Sequence, residues 1–259
     1  MLQGLEGKRV VITGACGIIG GWLIDAFAAA GARLCVTDAV AERLTPLAGA
    51  LPEGSFTHAA DLGDAAAIAG LVETIGRHWG SADVLVNNAG VYPSGFLLDT
   101  DAAEWDRIFN INLRAPFLLT QGIARQMIQT GVRGSVINIS SGAARKMRRT
   151  VVPYCTSKTA LDRLTKGFAL ELAEYGIRVN ALEPGFAAGS TANPLTDAHI
   201  RNTIAGIPLG RPAAPQDVGQ AALFLAGDLS SYITGTSLAV DGGNSIGSMA
   251  VYQDKTSAL

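Results

Sequence analysis

Short apolar runs rich in β-branched residues alternate along this chain with longer stretches whose apolar positions recur at helical spacing. RVVITG is followed by an amphipathic segment at 18–30, ARLCVTD by 41–50, and SFTHAAD by 64–79. ADVLVNNAG is followed by 103–130 and GSVINISS by 154–175. IRVNALEPG leads into a polar stretch at 186–205 and then a helix at about 215–227, and TSLAVDGG reads as a last strand. Strands this apolar are buried on both faces, and strand–helix alternation places helices on both sides of a parallel sheet. Crossovers between parallel strands are right-handed. The pattern therefore predicts one doubly wound α/β domain over residues 1–259, with a parallel sheet of about seven strands. No linker, internal repeat or low-complexity tract interrupts it. The tail at 244–259 has no periodicity and reads as a subunit contact or an unstructured end.

Composition narrows the class without naming a chemistry. Apolar residues make up 48% of the 259, enough for a sizeable core, and a charged fraction of only 16% suggests further buried surface between subunits. A net charge of −2 offers nothing to nucleic acid or an anionic membrane, and neither partner is expected. The three cysteines, Cys16, Cys35 and Cys155, form no CxxC pair, which argues against a disulfide framework or a metal site and suits a reducing cytoplasm. MLQGLEGKRV lacks the apolar core of a signal peptide, and uncharged runs fall short of the roughly 18 residues that a membrane helix needs. A soluble cytoplasmic protein is expected.

The candidate chemistry begins at TGACGIIG, residues 13–20, where Gly14, Gly17 and Gly20 join the first strand to the first helix. A strand turning sharply into a helix leaves the first helical amides unpaired, and with the helix dipole they attract phosphate. Gly14 permits the tight turn, while Gly17 and Gly20 bring backbone close to a pyrophosphate and helix close to strand. A glycine-rich turn without a ligand is the alternative. Asp38 ends the second strand, eighteen residues after Gly20, where a carboxylate accepts from the adenosine ribose and repels a 2′-phosphate. No basic residue lies in the glycine loop or directly after Asp38, so NAD is favoured over NADP. Capping of the following helix is the other use of that carboxylate. Tyr154 and Lys158 share a helix face, and a cation beside a phenol favours its ionised form. Ser141 lies at the end of an apolar strand, where an open α/β sheet faces its ligand; a turn or cap role is the alternative.

With NNAG at 87–90, INL around Asn112, YCTSK at 154–158 and Pro184–Gly185, the chain resembles the short-chain dehydrogenase/reductases, in their single-domain Rossmann-fold branch, nearly end to end. The resemblance implies hydride transfer between NAD and a secondary alcohol or ketone. Tyr154 is then the acid/base, Lys158 holds the nicotinamide ribose and lowers the tyrosine's pKa, Ser141 orients the substrate oxygen, and Asn112 holds a water linking Lys158 to solvent. An Asn that merely kinks or caps its helix is the alternative for Asn112. The cofactor set implied is Gly14, Gly17, Ile18, Ile19, Gly20 and Asp38, with Asp61 and Leu62 at the adenine. Asn88, Ala89 and Gly90, supported by Asn87, lie at the strand end beside the cofactor, and Tyr154, Lys158, Pro184, Gly185 and Ala187 complete the set. A homotetramer with two-fold symmetry is implied as well, and 186–206 forms a lid.

The chain departs from the branch at two places. The usual TGxxxGxG has its middle glycine where Ile18 stands, giving TGxxGxxG here. A threonine that usually helps hold the carboxamide falls at Gly189, with Ser190 or Thr191 as replacements. ARKMRRT at 144–150 sets four of the chain's twenty Lys and Arg residues on what the resemblance makes a wall of the substrate pocket. Arg145 or Arg148 is the expected anchor of an anionic substrate; a solvated or interfacial charge run is the alternative. The competing functions are a 3-oxoacyl-(acyl-carrier-protein) reductase and a dinucleotide-sensing module without turnover.

Overall fold

Alternation along the strands decides how the layers form. In β1 (Arg9–Thr13), Val10 and Ile12 point to one face of the sheet and Val11 to the other, all fully buried. The first face packs on α1 (Ile18–Ala29) and α8 (Pro215–Ala226), through Leu23, Phe27, Val218 and Leu225. The second packs on α3 (Ala65–Trp79), α5 (Ala115–Thr130) and α6 (Val152–Leu172), through Leu71, Ile75, Leu119, Ile123 and Leu172. Each such side chain withdrawn from water contributes roughly 1.5–3 kcal/mol. These two apolar layers enclose the sheet and force its strands to be apolar on both sides.

The computed structural model describes residues 4–189 and 195–249. The remaining elements are β2 (Arg33–Asp38), α2 (Ala41–Ala48), β3 (Phe56–Ala59), β4 (Val84–Asn87), α4 (Ala102–Phe109), β5 (Ser135–Ile139), β6 (Arg178–Pro184), α7 (Asp197–Ala205) and β7 (Ser237–Val240). Seven parallel strands pair in the order β3-β2-β1-β4-β5-β6-β7. The winding reverses between β1 and β4, and the crevice beyond the strand ends at such a reversal is where an open sheet takes its ligand. That crevice is pinned on the protein side. Thr13 Oγ1 accepts from the amides of Asn88 (3.0 Å) and Ala89 (2.9 Å), and Asn88 Nδ2 donates to the carbonyls of Thr13 (2.8 Å) and Gly14 (3.1 Å).

The structure departs from the sequence pattern most clearly at 103–130. The expected single helix is α4 and α5 joined by one π-helical turn, Asn110–Arg114. A π turn carries one extra residue per turn and re-aims a side chain; here the side chain is Asn112, which is fully buried. Of the 186–206 segment, residues 190–194 lie outside the described residues, as do 250–259 of the tail, so Ser190 and Thr191 are outside them too. Among the described residues no helix is long and apolar enough to cross a membrane.

Candidate active site

The glycine loop is built by steric need at two positions and by openness at the third. Gly14 has φ +63°, and a Cβ there would stand 2.8 Å from the Cα of Ala89. A Cβ on Gly20 would collide with the Gly14 carbonyl oxygen and come within 2.8 Å of the Ala15 oxygen. Gly17, the shifted glycine, is the N-cap of α1 with an ordinary φ of −82°, and a Cβ there would meet only the Gly14 oxygen, at 3.4 Å. The backbone therefore does not require glycine at 17. Its bareness leaves the helix end open. The first i→i−4 bond of the helix runs from Gly21 to Gly17 (2.9 Å), so the amides of Ile18, Ile19 and Gly20 precede it and face outward. With no acidic residue in that turn, the loop is a cradle that side chains would fill and a dinucleotide pyrophosphate fits.

Asp38 lies against the glycine loop. Its Oδ2 accepts from the Cys16 amide at 3.0 Å, which ties the end of β2 to the glycine loop. It does not cap α2, whose N-cap is Val40 without a side-chain bond. The structure also brings in a residue that sequence distance conceals: Arg43 of α2 reaches back and donates to the Cys16 carbonyl at 2.8 Å. Asp61 accepts from Gly63 within its own turn (2.8 Å), and the side chain of Leu62 is buried in the core behind it. Pro184 ends β6, a Cβ on Gly185 would lie 2.7 Å from the Cα of Asp241, and Ala187 follows on the same chain segment.

The tetrad positions converge from three elements. Ser141 caps a 3-10 turn at Gly142–Ala144, its Oγ accepting from the Ala143 amide (3.1 Å), and it opposes the rise in the pKa of Tyr154, on the first turn of α6. Lys158 is one turn on, buried, with Nζ 5.8 Å from the tyrosine ring centroid and donating to the Ile139 carbonyl at 2.7 Å. Asn112 Oδ1 accepts from the Val91 amide (2.8 Å), and its Nδ2 donates to the Val91 carbonyl (2.9 Å) and Ser157 Oγ (3.0 Å). Gly90 separates the two: a Cβ there would stand 3.4 Å from Asn112 Oδ1 and 3.5 Å from Lys158 Nζ. Asn112 thus does more than kink its helix; it ties the end of β4 to α6.

The electrostatics differ from the simple expectation. Burial pushes the Tyr154 phenol above its ordinary value, and the opposing pull comes from Ser141 and Arg148. Burial lowers Lys158 to about 8, against the pull of Asp162. The ammonium is thereby nearly poised for proton exchange, with its hydrogen bond directed at the Ile139 backbone.

The basic run divides by contact. Arg145 pairs with Glu183 (Nε to Oε2, 2.8 Å) and donates to the Ser237 carbonyl (3.2 Å), so its guanidinium is committed to protein and not free to anchor a substrate. Lys146 donates to the Asn244 carbonyl, and Arg149 lies 5.3 Å from the centroid of the Phe96 ring. Arg148 is the cation whose charge reaches Tyr154. Sequence reasoning missed Glu183, although a lone acid in the apolar run RVNALEP was a signal that it is buried with a partner. Among the described residues, no three His, Cys, Asp or Glu side chains are grouped to hold a metal.

A family model described as enoyl-(acyl carrier protein) reductase matches residues 14–245. A 3-oxoacyl-(acyl-carrier-protein) reductase of Thermotoga maritima is 37% identical over 242 residues, covering 92% of this chain and 98% of the relative. A galactitol 2-dehydrogenase of Agrobacterium fabrum is 33% identical over 252 residues, covering 93% and 98%. The solved structure of a gluconate 5-dehydrogenase from Burkholderia cenocepacia, in complex with NADP and tartrate, superposes with a TM-score of 0.87 at 30% identity, covering 95% of this chain and 99% of that one.

Proposed function

The chain belongs to the short-chain dehydrogenase/reductase family, and from that premise we propose that it interconverts the secondary alcohol and ketone of a small polyhydroxy acid, with NAD(H) preferred as the nicotinamide cofactor. The observation that carries the substrate class is Arg148, whose charge reaches the Tyr154 phenol while Arg145 is held by Glu183. A guanidinium at that point grips a carboxylate with parallel hydrogen bonds and sets the carbinol carbon beside the acid/base. The gluconate and tartrate of the solved relative are acids of this kind.

The dinucleotide, when bound, supplies or accepts the hydride. The chain's own residues do the rest. The amides of Ile18, Ile19 and Gly20 receive the pyrophosphate, and Asp38 receives the adenosine ribose. Ser141 holds the substrate oxygen and Tyr154 exchanges a proton with it. Lys158 holds the nicotinamide ribose and refills the phenol's proton, and Asn112 keeps Lys158 in line through Val91 and Ser157. Asp38 disfavours a 2′-phosphate, whereas Arg43, reaching the loop from α2, favours one; the carboxylate, bound directly to the loop amide, is expected to set NAD first. The protein works as a two-fold symmetric homotetramer in the cytoplasm, joined through the outer faces of α5 and α6.

A 3-oxoacyl-(acyl-carrier-protein) reductase is the second reading, favoured by the Thermotoga maritima relative. Assay of NADH formation with gluconate, its methyl ester, galactitol and a 3-hydroxyacyl thioester separates the readings. The proposal expects gluconate-type acids to exceed the ester in kcat/KM by about tenfold or more, the value of a charge-assisted pair. Equal rates with acid and ester overturn the anionic substrate, and turnover of none of them with either cofactor favours a sensing module.

A further inference from the structure

β6 ends in a titratable residue that the reaction does not use. Glu183 is fully buried and lies in register with Ala239 of β7. Val179, two positions of alternation earlier, packs on Leu172, so Glu183 points to the α6 side of the sheet. Two charged groups act on it directly, and a third acts on its partner. Arg145, from the loop after β5, is 2.8 Å from Oε2. Asp162, from α6, acts on it as a like charge and also draws on Lys158. Asp241, after β7, is coupled by charge to Arg145. Asp162 is already satisfied by hydroxyls, Ser140 Oγ at 2.6 Å and Ser237 Oγ at 3.1 Å. Neither oxygen of Glu183 receives an aligned hydrogen bond from a described residue, so the ion pair with Arg145 is its principal compensation.

That pair holds the first residue of a suspended segment. Residues 145–151 run from the 3-10 turn capped by Ser141 to the start of α6. At the far end the Gly95 amide donates to the Thr150 carbonyl (2.8 Å), and Arg149 stacks on Phe96. Thr150 has φ +68°, the sole non-glycine residue in the left-handed region among those described, so the segment is held in a conformation it does not favour. Arg148 sits between the two anchors.

We propose that Glu183 is a positioning residue for substrate selection: by gripping Arg145 it fixes the 145–151 segment with Arg148 toward Tyr154, and it releases that grip on taking up a proton. Burial, reinforced by Asp162 and opposed by Arg145, raises its pKa to about 7. The carboxylate is therefore ionised and gripping above neutrality. Below it, the carboxylate takes a proton from solvent and donates it toward Asp162, leaving Arg145, half-exposed, with only its bond to the Ser237 carbonyl. The consequence for KM rests on the reading of Arg148 as the substrate's anchor; the grip itself does not.

The test joins hydrogen exchange with kinetics on the full-length protein. Glu183→Gln removes the charge at nearly constant shape, and Glu183→Ala removes the group. Amide exchange across 145–151 at pH 8, corrected for intrinsic rates, should rise by about tenfold in both while β5 and the body of α6 stay protected. The KM for gluconate should rise by a similar factor with kcat and NAD affinity little changed. The wild-type KM should fall between pH 6 and 8, and that fall should be absent from both variants. An Arg145→Met, Glu183→Met pair should show no further loss beyond either change alone, because one interaction is removed. Unchanged exchange in 145–151, or exchange that rises equally throughout the domain, overturns the grip. Faster exchange combined with an Arg148→Ala variant of normal KM leaves the grip standing and removes the anchor instead. If Glu183→Ala fails to fold, the Gln variant decides alone.

Discussion

At the scale of single residues, the site separates groups that serve chemistry from groups that hold them. Tyr154→Phe keeps the ring packed beside Tyr92, 6.0 Å away, and removes only the exchangeable proton. Its kcat should fall by roughly 10²–10⁴-fold with NAD affinity retained, as isothermal titration and initial rates will report. The glycine loop makes a sharper distinction. Gly20→Ala places a methyl against two carbonyl oxygens and should cost on the order of 1–3 kcal/mol in urea unfolding. Gly17→Ala should leave stability within about 1 kcal/mol and weaken NAD binding, because that position is open by design of the cradle and not by backbone need. Glu183 adds a pH dependence whose sign is fixed. Its folded pKa, about 7, lies above the ordinary carboxylate value, so the stability it contributes is full below the ordinary value and is lost as pH rises through 7. Glu183→Gln should therefore gain in melting temperature relative to wild type on going from pH 5 to pH 8; a constant difference would contradict the assignment.

At the scale of elements, ends and junctions carry the function while the middles carry stability. The C-terminal carbonyls of α8 meet a side chain from the opposite end of the sheet. Arg178, at the start of β6, donates to the Leu225 (2.8 Å), Ala226 (3.2 Å) and Gly227 (3.2 Å) oxygens and to Ser230 Oγ (2.8 Å). Arg178→Met removes four hydrogen bonds, although the Leu225 and Gly227 oxygens keep hydroxyl donors from Ser135 and Ser230, and should cost about 1–3 kcal/mol by chemical denaturation without touching the site some strand length away. The π turn between α4 and α5 is the functional counterpart. Asn112→Ala removes three hydrogen bonds, two of them to Val91, and should lower kcat by at least tenfold through a misplaced Lys158. A variant that retained full kcat would make the turn a packing feature only.

For the whole molecule, the outer faces of α5 and α6 carry exposed apolar side chains among charged ones, Arg125, Arg163, Lys166 and Glu171. Phe117 and Phe168 pair across the two helices with centroids 6.0 Å apart, and Leu170 is 82% exposed. The proposed assembly pairs these apolar side chains isologously with those of a second copy. Leu170→Glu should shift the light-scattering mass from four chains toward fewer, whereas a wild-type monomer at micromolar concentration would refute the assembly.

The amino-acid sequence by itself determined the order of strands and helices, the parallel sheet and the residues at its carboxyl ends, because apolar periodicity and glycine spacing are local properties written in consecutive positions. Asp38, Ser141, Tyr154 and Lys158 were legible as candidates for the same reason: each sits at an element end or on a helix face that local pattern defines, whereas Asn112 came from the family resemblance alone. Three things needed the tertiary structure. The π turn at Asn112 depends on a bond to Val91, twenty-one residues away. The reach of Arg43 to the glycine loop spans twenty-seven residues and closes only when β2 lies beside β1. The division of the basic run into Arg145, paired with Glu183, and Arg148, whose charge reaches Tyr154, is a matter of which buried charge lies across the fold. A charged side chain chooses its partner by distance and desolvation, and neither quantity exists until the strands have paired.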